Sequence, residues 1–385
     1  MNNLRTRHAS QRYLLPGIVF AILALVGLCL PLQANAQSTV RPPENATTNI
    51  APAGPPLQGG VQGTQSDAEI WHDIRLGETG AVSIPNKSAG QMIQSQGEDW
   101  RLYRNGPIHD YLGYAMLATI VLLAVFFAIR GRIKVEHGMS GVKIKRFSTL
   151  ERMSHWLMAL SFITLGISGL NFTFGRSLVM PVIGKDLFGP TSGFLKATHN
   201  YTAFAFMLGL ILAFVFWIAH NIPDRTDLNW LAKGGGLIGK SSHPPAKKFN
   251  AGQKIIFWGV MLFGLSLSVS GWALLFPFEH HLFSSTFALL GNIGIDVPAL
   301  LGLPQPPYSA IQEQQFNSAW HGIISVAMIC LILAHIYIGT IGMQGAYDAM
   351  GSGEVDLNWA REHHSLWVDE VMAKKTDGIV AAPAE

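Results

Sequence analysis

Cysteine and charge are both scarce in this sequence. Of 385 residues only Cys29 and Cys330 are cysteines, each inside an apolar run. Cys29 falls in a stretch expected to be removed on export, which leaves one cysteine in the mature chain. An internal disulfide is then excluded, and so is a Cys-ligated iron–sulfur cluster or a Cys-rich zinc site. A redox metal would have to be held mainly by histidine, and the chain has 14 of these. Charged residues make up only 13% against 49% hydrophobic, where a soluble domain carries about 25% charged. That deficit predicts a membrane protein. There is no Gly-rich phosphate loop, no HExxH and no GxSxG, and the basic loops carry no nucleic-acid fold signature.

The N-terminus reads as a signal peptide over residues 1–36. Arg5, Arg7 and Arg12 form a basic region, an apolar stretch runs from Leu14 to Leu30, and Ala34-Asn35-Ala36 is a small-x-small cleavage site. An uncleaved anchor is the alternative, and both versions export the residues downstream of it. Residues 37–108 are rich in Pro, Gly, Ser, Asn and Gln and read as a flexible periplasmic segment. Trp71, Trp100 and Tyr103 within it could dock on a partner.

Five apolar runs come next, at about Tyr111–Ile129, Met153–Phe174, His199–Ala219, Ile255–Phe276 and Ser318–Met343. Each approaches the roughly 20 residues that carry a helix across the hydrocarbon core. Lys and Arg concentrate in two loops. The first holds Arg130, Arg132, Lys134, Lys143, Lys145 and Arg146, and the second Arg225, Lys233, Lys240, Lys247, Lys248 and Lys254. The connection from Pro277 to Asn317 has neither residue. The positive-inside rule puts the basic loops and the C-terminus in the cytoplasm, and the signal peptide puts the mature N-terminus in the periplasm. The expected fold is all-α integral membrane: an extra N-terminal transmembrane helix with its basic loop (109–146), a bundle of four further membrane helices (147–345) and a cytoplasmic tail (346–385).

Four histidines sit at informative depths. His155 is at the inner end of the second run, His199 at the outer end of the third, and His321 just inside the outer end of the fifth. His335 comes 14 residues after His321 on the same run, a separation of about 21 Å along a helix and about 40° around it. One helix therefore presents two ligands on one face at two depths. Ionisable residues inside a bundle are functional by default, and histidine is a usual axial ligand of haem iron. Depth pairs His199 with His321 and His155 with His335, which gives two bis-histidine haems. Taken singly, a histidine at a helix end can be merely interfacial. His220 competes for the inner site but lies beside Asn221 and Pro223, and His280, His281, His363 and His364 read as solvated loop residues. Gly166, Gly169, Gly209, Gly264, Gly271 and Gly322 would let helices or a flat macrocycle approach. Arg152 and Lys196 are candidates for haem propionates.

From about Phe147 to Trp367 the chain resembles the gamma (cytochrome b556) subunits of respiratory formate dehydrogenases. The matching pieces are Leu150-Glu151-Arg152-Met153-Ser154-His155-Trp156, His220-Asn221-Ile222-Pro223-Asp224, Phe249-Asn250-Ala251-Gly252-Gln253-Lys254, the His321/His335 interval and Trp359-Ala360-Arg361-Glu362-His363-His364. The resemblance implies a four-helix bundle with two haem b groups, His199 and His321 on the outer and His155 and His335 on the inner. It implies a quinone site by the inner haem at His335, Asn250, Gly252 and Gln253, although Asn250 also suits a plain helix N-cap. The implied partners are an iron–sulfur beta subunit and a molybdenum- or tungsten-containing alpha subunit that oxidises formate. Electrons would pass inward to quinone in a bacterial inner membrane. Two other readings stay open: the cytochrome b subunit of a nickel–iron hydrogenase or thiosulfate reductase, and a haem-free transporter or sensor.

Overall fold

The computed structural model describes residues 97–236, 243–277 and 279–380. The signal peptide and most of the exported segment lie outside the described residues. The last part of that segment is helical rather than flexible: α1 (Gly97–Tyr103) continues through a π-helical turn (Arg104–Ile108) into α2 (His109–Arg130). Nothing between Gly97 and Tyr103 breaks a helix. Pro107, which has no N–H to donate, sits inside the wider turn.

The other main helices are α3 (Thr149–Leu178), α4 (Met180–Trp217), α5 (Arg225–Ala232), α6 (Ala251–Leu275), α7 (Leu282–Asn292), α8 (Val297–Leu301) and α9 (Ala310–Tyr337). The C-terminal part holds α10 (Asp348–Gly351), α11 (Leu357–His363) and α12 (Ser365–Val380). Among the described residues five helical stretches are long and apolar enough to cross a membrane: Trp100–Arg130, Thr149–Leu178, Met180–His220, Ala251–Leu275 and Ala310–Gly342. The protein is an all-α membrane protein with the five spans the apolar runs predicted.

The chain divides into two compact units, and the division cuts across α2, α6 and α9. Among the described residues the first holds 115–265 and 325–380, and the second 97–114 and 266–324. In the first unit α3 opens on a reciprocal cap: the Ser148 hydroxyl accepts from Glu151 N at 3.3 Å, and Ser148 N donates to the Glu151 carboxylate at 2.8 Å. Helices α3 and α4 touch backbone to backbone at Gly209, where a Cβ would fall 2.8 Å from Met158 Cα. Gly166, by contrast, has nothing within 4 Å of a Cβ position, so it is not a contact glycine. Helix α4 breaks at Gly184 (φ 77°) and then runs past His199 to Trp217. His199 is therefore in mid-helix rather than at its start, because the apolar run marks only the stretch suited to lipid.

The first unit also carries a polar platform that the sequence did not announce. Strand β1 (Lys143–Lys145) pairs antiparallel with β2 (Glu354–Asp356), with Ile144 opposite Val355. Three residues per strand are too few for a visible alternation. In the second unit Glu313, 1% exposed, accepts from the backbone N–H groups of Phe283 (2.9 Å) and Ser284 (2.7 Å), which tethers the first turn of α7 to α9.

Candidate haem-ligand histidines

In the first unit, α3 and α9 bring His155 and His335 together with ring centroids 6.2 Å apart and planes inclined by 59°. A metal-bound imidazole nitrogen lies about 2 Å from its ion, so two rings facing one ion from opposite sides have centroids about 6 Å apart. His155 also packs against Trp156 (5.3 Å) and Trp217 (6.4 Å). Its Nδ1 is buried and has no hydrogen-bond partner among the described residues. A buried ring nitrogen left so is an unmet capacity to bond.

His199 lies in the same unit, on α4. Its Nδ1 is 2.8 Å from Ser168 Oγ on α3, and the ring meets Phe172 edge-on at 5.3 Å. In the second unit His321 Nδ1 is 2.9 Å from Ser270 Oγ on α6. One helical turn before His321, Asn317 is fully buried with neither amide atom partnered among the described residues. Neither serine was singled out in the sequence. The Ser-Gly dipeptide they share, Ser168-Gly169 and Ser270-Gly271, also occurs at Ser140-Gly141, Ser192-Gly193 and Ser352-Gly353, so it does not mark them by itself.

The competing histidine His220 is exposed, ends a short 3-10 turn and stacks on Phe249 at 6.4 Å, as an interfacial residue would. His280 and His281 are exposed as expected. His363 and His364 are not solvated. His364 is 1% exposed and its Nδ1 donates to the Lys247 carbonyl at 2.8 Å, while His363 packs on Trp359 at 5.1 Å. Burial pushes His363 down to about 4 and His364 well below the usual histidine value. Arg146, expected only as a topology signal, is 4% exposed among the rings of Phe147, Trp359 and Trp367, at 5.2–5.6 Å from their centroids. Arg152 donates to the carbonyls of Met350 (3.2 Å) and Gly351. Lys196 is exposed.

The residues expected at a quinone site have structural work of their own. Asn250 caps α6: its Oδ1 accepts from Gln253 N at 2.9 Å, and Gln253 Oε1 accepts from Asn250 N at 3.1 Å. Arg146 also donates to Gln253 Oε1 at 3.3 Å. Gly252 leaves room for Trp230, whose ring would meet a Cβ at 2.9 Å. The neighbouring motif pieces meet at Lys254, 5% exposed, which donates to the Ile222 carbonyl (3.0 Å), Asp224 (3.3 Å) and Asp227 (2.8 Å). The Asn-Ile-Pro-Asp loop is thereby latched onto the head of α6.

The sequence profile of the prokaryotic cytochrome b561 family matches residues 146–353. The chain belongs to that family. Among similar proteins is the formate dehydrogenase cytochrome b556(fdo) subunit of Escherichia coli K12, 27% identical over 229 residues, which are 59% of this chain and 93% of that protein. The nitrate-inducible formate dehydrogenase cytochrome b556(Fdn) subunit of the same organism is 26% identical over 230 residues, 59% of this chain and 91% of that one. The formate dehydrogenase cytochrome b556 subunit of Haemophilus influenzae is 25% identical over 243 residues, 62% and 88%.

A cytochrome b holds haem b, and the residues of this b561 chain fit that group. Among the described residues no three His, Cys, Asp or Glu side chains converge as a bare metal ion would need. Histidines in twos suffice for haem, because the macrocycle supplies the other four nitrogens. The 6.2 Å His155–His335 pair is the arrangement that such a group would complete.

Proposed function

We propose that this chain is the membrane subunit of a formate dehydrogenase and carries electrons through two haem b groups to quinone. The observation that supports it most directly is the His155–His335 pair, 6.2 Å between ring centroids, in a b561-family chain whose relatives are named as formate dehydrogenase subunits. His155 and His335 hold the inner haem. His199 and His321, paired by their depth along the apolar runs, hold the outer one. Bound haem supplies a one-electron carrier at each position. The chain's own residues fix the imidazoles, keep water from them and set the order of the two sites. Quinone is reduced near His335 and the head of α6. The capping Asn250 uses Oδ1 on the helix and offers its amide NH₂ to a quinone oxygen, while Gly252 and Gln253 shape the same turn. The mature N-terminus lies in the periplasm and the C-terminus in the cytoplasm. An iron–sulfur subunit delivers the electrons, and a molybdenum- or tungsten-containing subunit oxidises formate.

The test is formate-driven reduction of the b-type absorbance in membranes that contain the intact complex. Full reduction by formate, with a molybdenum or tungsten subunit co-purifying, is the expected result. Reduction by hydrogen but not formate, with a hydrogenase large subunit in the complex, would overturn the formate assignment. Absence of any dithionite-reduced b-type band would overturn the cytochrome reading. A His321→Ala chain should lose one haem and keep the other; equal loss of both from folded protein contradicts the depth pairing.

A further inference from the structure

Two buried serines meet two of the histidines in the same manner, in two separate units of the molecule. Ser168 Oγ is 2.8 Å from His199 Nδ1, and Ser270 Oγ is 2.9 Å from His321 Nδ1; both serines are 0% exposed. The next residue is in each case a glycine standing over the same edge of the ring. A Cβ at Gly169 would lie 3.6 Å from His199 Cε1, and one at Gly271 would lie 3.3 Å from His321 Cε1. The Ser-Gly step thus supplies one polar atom and one bare backbone, and it tolerates little movement of the ring.

The direction of the hydrogen bond follows from proton counting. A hydroxyl has one proton to give. Ser168 gives it to the Thr164 carbonyl at 2.7 Å, and Ser270 to the Ser266 carbonyl at 2.8 Å, each one turn back on its own helix. The serine oxygen therefore meets the imidazole as an acceptor, and Nδ1–H is the donor. With the proton on Nδ1, the lone pair belongs to Nε2, the nitrogen that can ligate iron.

We infer that Ser168 and Ser270 are positioning residues that fix the tautomer and orientation of His199 and His321 as haem ligands and lower the potential of the haem they bind. The inference rests on the haem reading proposed above. A hydrogen bond from the non-ligating N–H raises the basicity of the ligating nitrogen, which favours ferric over ferrous iron, and such bonds are one of the protein's means of setting haem potential. His155 has no such acceptor: its Nδ1 is buried without a partner among the described residues. The serines would hold the outer haem at the lower potential, which drives electrons from outer to inner.

The test is a redox titration of the b-type absorbance, with the low-spin electron paramagnetic resonance signals, in the intact complex carrying Ser168→Ala, Ser270→Ala and the hydroxyl-retaining Ser270→Thr. Each alanine variant is expected to raise the midpoint potential of one haem and shift its resonance, leaving the other haem unchanged. Threonine should restore the wild-type value. Potentials and resonances unchanged in both alanine variants, at full haem content, overturn the inference while leaving the haem reading intact. If Ser270→Ala loses its haem outright, Ser270→Cys, of nearly the same size but a weaker acceptor, replaces it: a raised potential supports the inference and an unchanged one overturns it. A wild-type complex without b haem would instead sink the underlying reading.

Discussion

The membrane helices and the polar platform treat buried polar groups in opposite ways. In the helices Ser161, Ser168 and Ser270 give their hydroxyl protons to carbonyls three or four residues back. On the platform the partners are far along the chain. Lys254 binds Asp227 at 27 residues' separation, Asp356 accepts from Ser140 N at 216, and Glu362 accepts from Glu136 N at 226. A helix in lipid has no water to fall back on, so its polar side chains borrow the backbone beside them. The platform satisfies its carboxylates by bringing distant loops together, which stabilises the fold.

If that contrast is right, changes in the two regions should fail differently. The largest effect is expected at the 6.2 Å pair. His335→Ala or His155→Ala should lower haem content from two per chain toward one, read from the pyridine haemochrome spectrum of purified protein, with the protein still membrane-inserted. Retention of both haems would break the comparison. Next comes Lys254→Ala. Removing one partner of a buried ion pair costs about 3–5 kcal/mol, so thermal unfolding in detergent should shift down markedly. The b-type spectrum of protein that remains folded should stay two-haem. Loss of the spectrum before any loss of stability would show that the two regions are not separable.

Acid should attack the platform through three groups. Burial holds His363 at about 4, below the usual histidine value, so the unfolded chain binds more protons between pH about 6.5 and about 4. Stability therefore falls as pH drops through that window. At Asp356 and Glu362 burial acts upward, but it is outweighed by hydrogen bonds, at Asp356 from Ser140, Gly141 and Trp359 and at Glu362 from His137 and Glu136. Both carboxyls sit below their ordinary values, and their contribution, present above pH about 4, is lost as pH falls further. His363→Phe should flatten the upper part of a stability-against-pH curve and leave the lower part; an unchanged curve would exclude His363 as a cause. The smallest expected effect is Asn250→Ala, about 1 kcal/mol for a lost N-cap, seen as a small drop in melting temperature. A much larger loss of quinone reductase activity in the same variant would show the amide serving both helix and quinone.

The spans were legible because apolar runs report directly on lipid. His155 and His335 were legible because helical period and rise convert spacing into face and depth. The capping role of Asn250 was legible too, since Asn with Gln three residues later is a local signal. Ser168 and Ser270 were not: a serine in a membrane helix looks the same whether it faces lipid, a carbonyl or an imidazole on the next helix. His364 was read as a solvated loop residue, and Arg146 only as a topology signal, for the same reason. The groups that bury them, Trp359, Trp367 and the Lys247–Lys248 backbone, come from a loop and a tail about 100 to 220 residues away along the chain.

The sequence by itself determined the solvent and which stretches become membrane-length helices, because hydropathy and helical repeat are properties of neighbours along the chain. The tertiary structure alone decided which hydroxyl meets which imidazole and which basic residues are buried rather than facing water. Those are distances between segments that no local pattern encodes, and a shift of one helix against another by a single turn would rewrite them all.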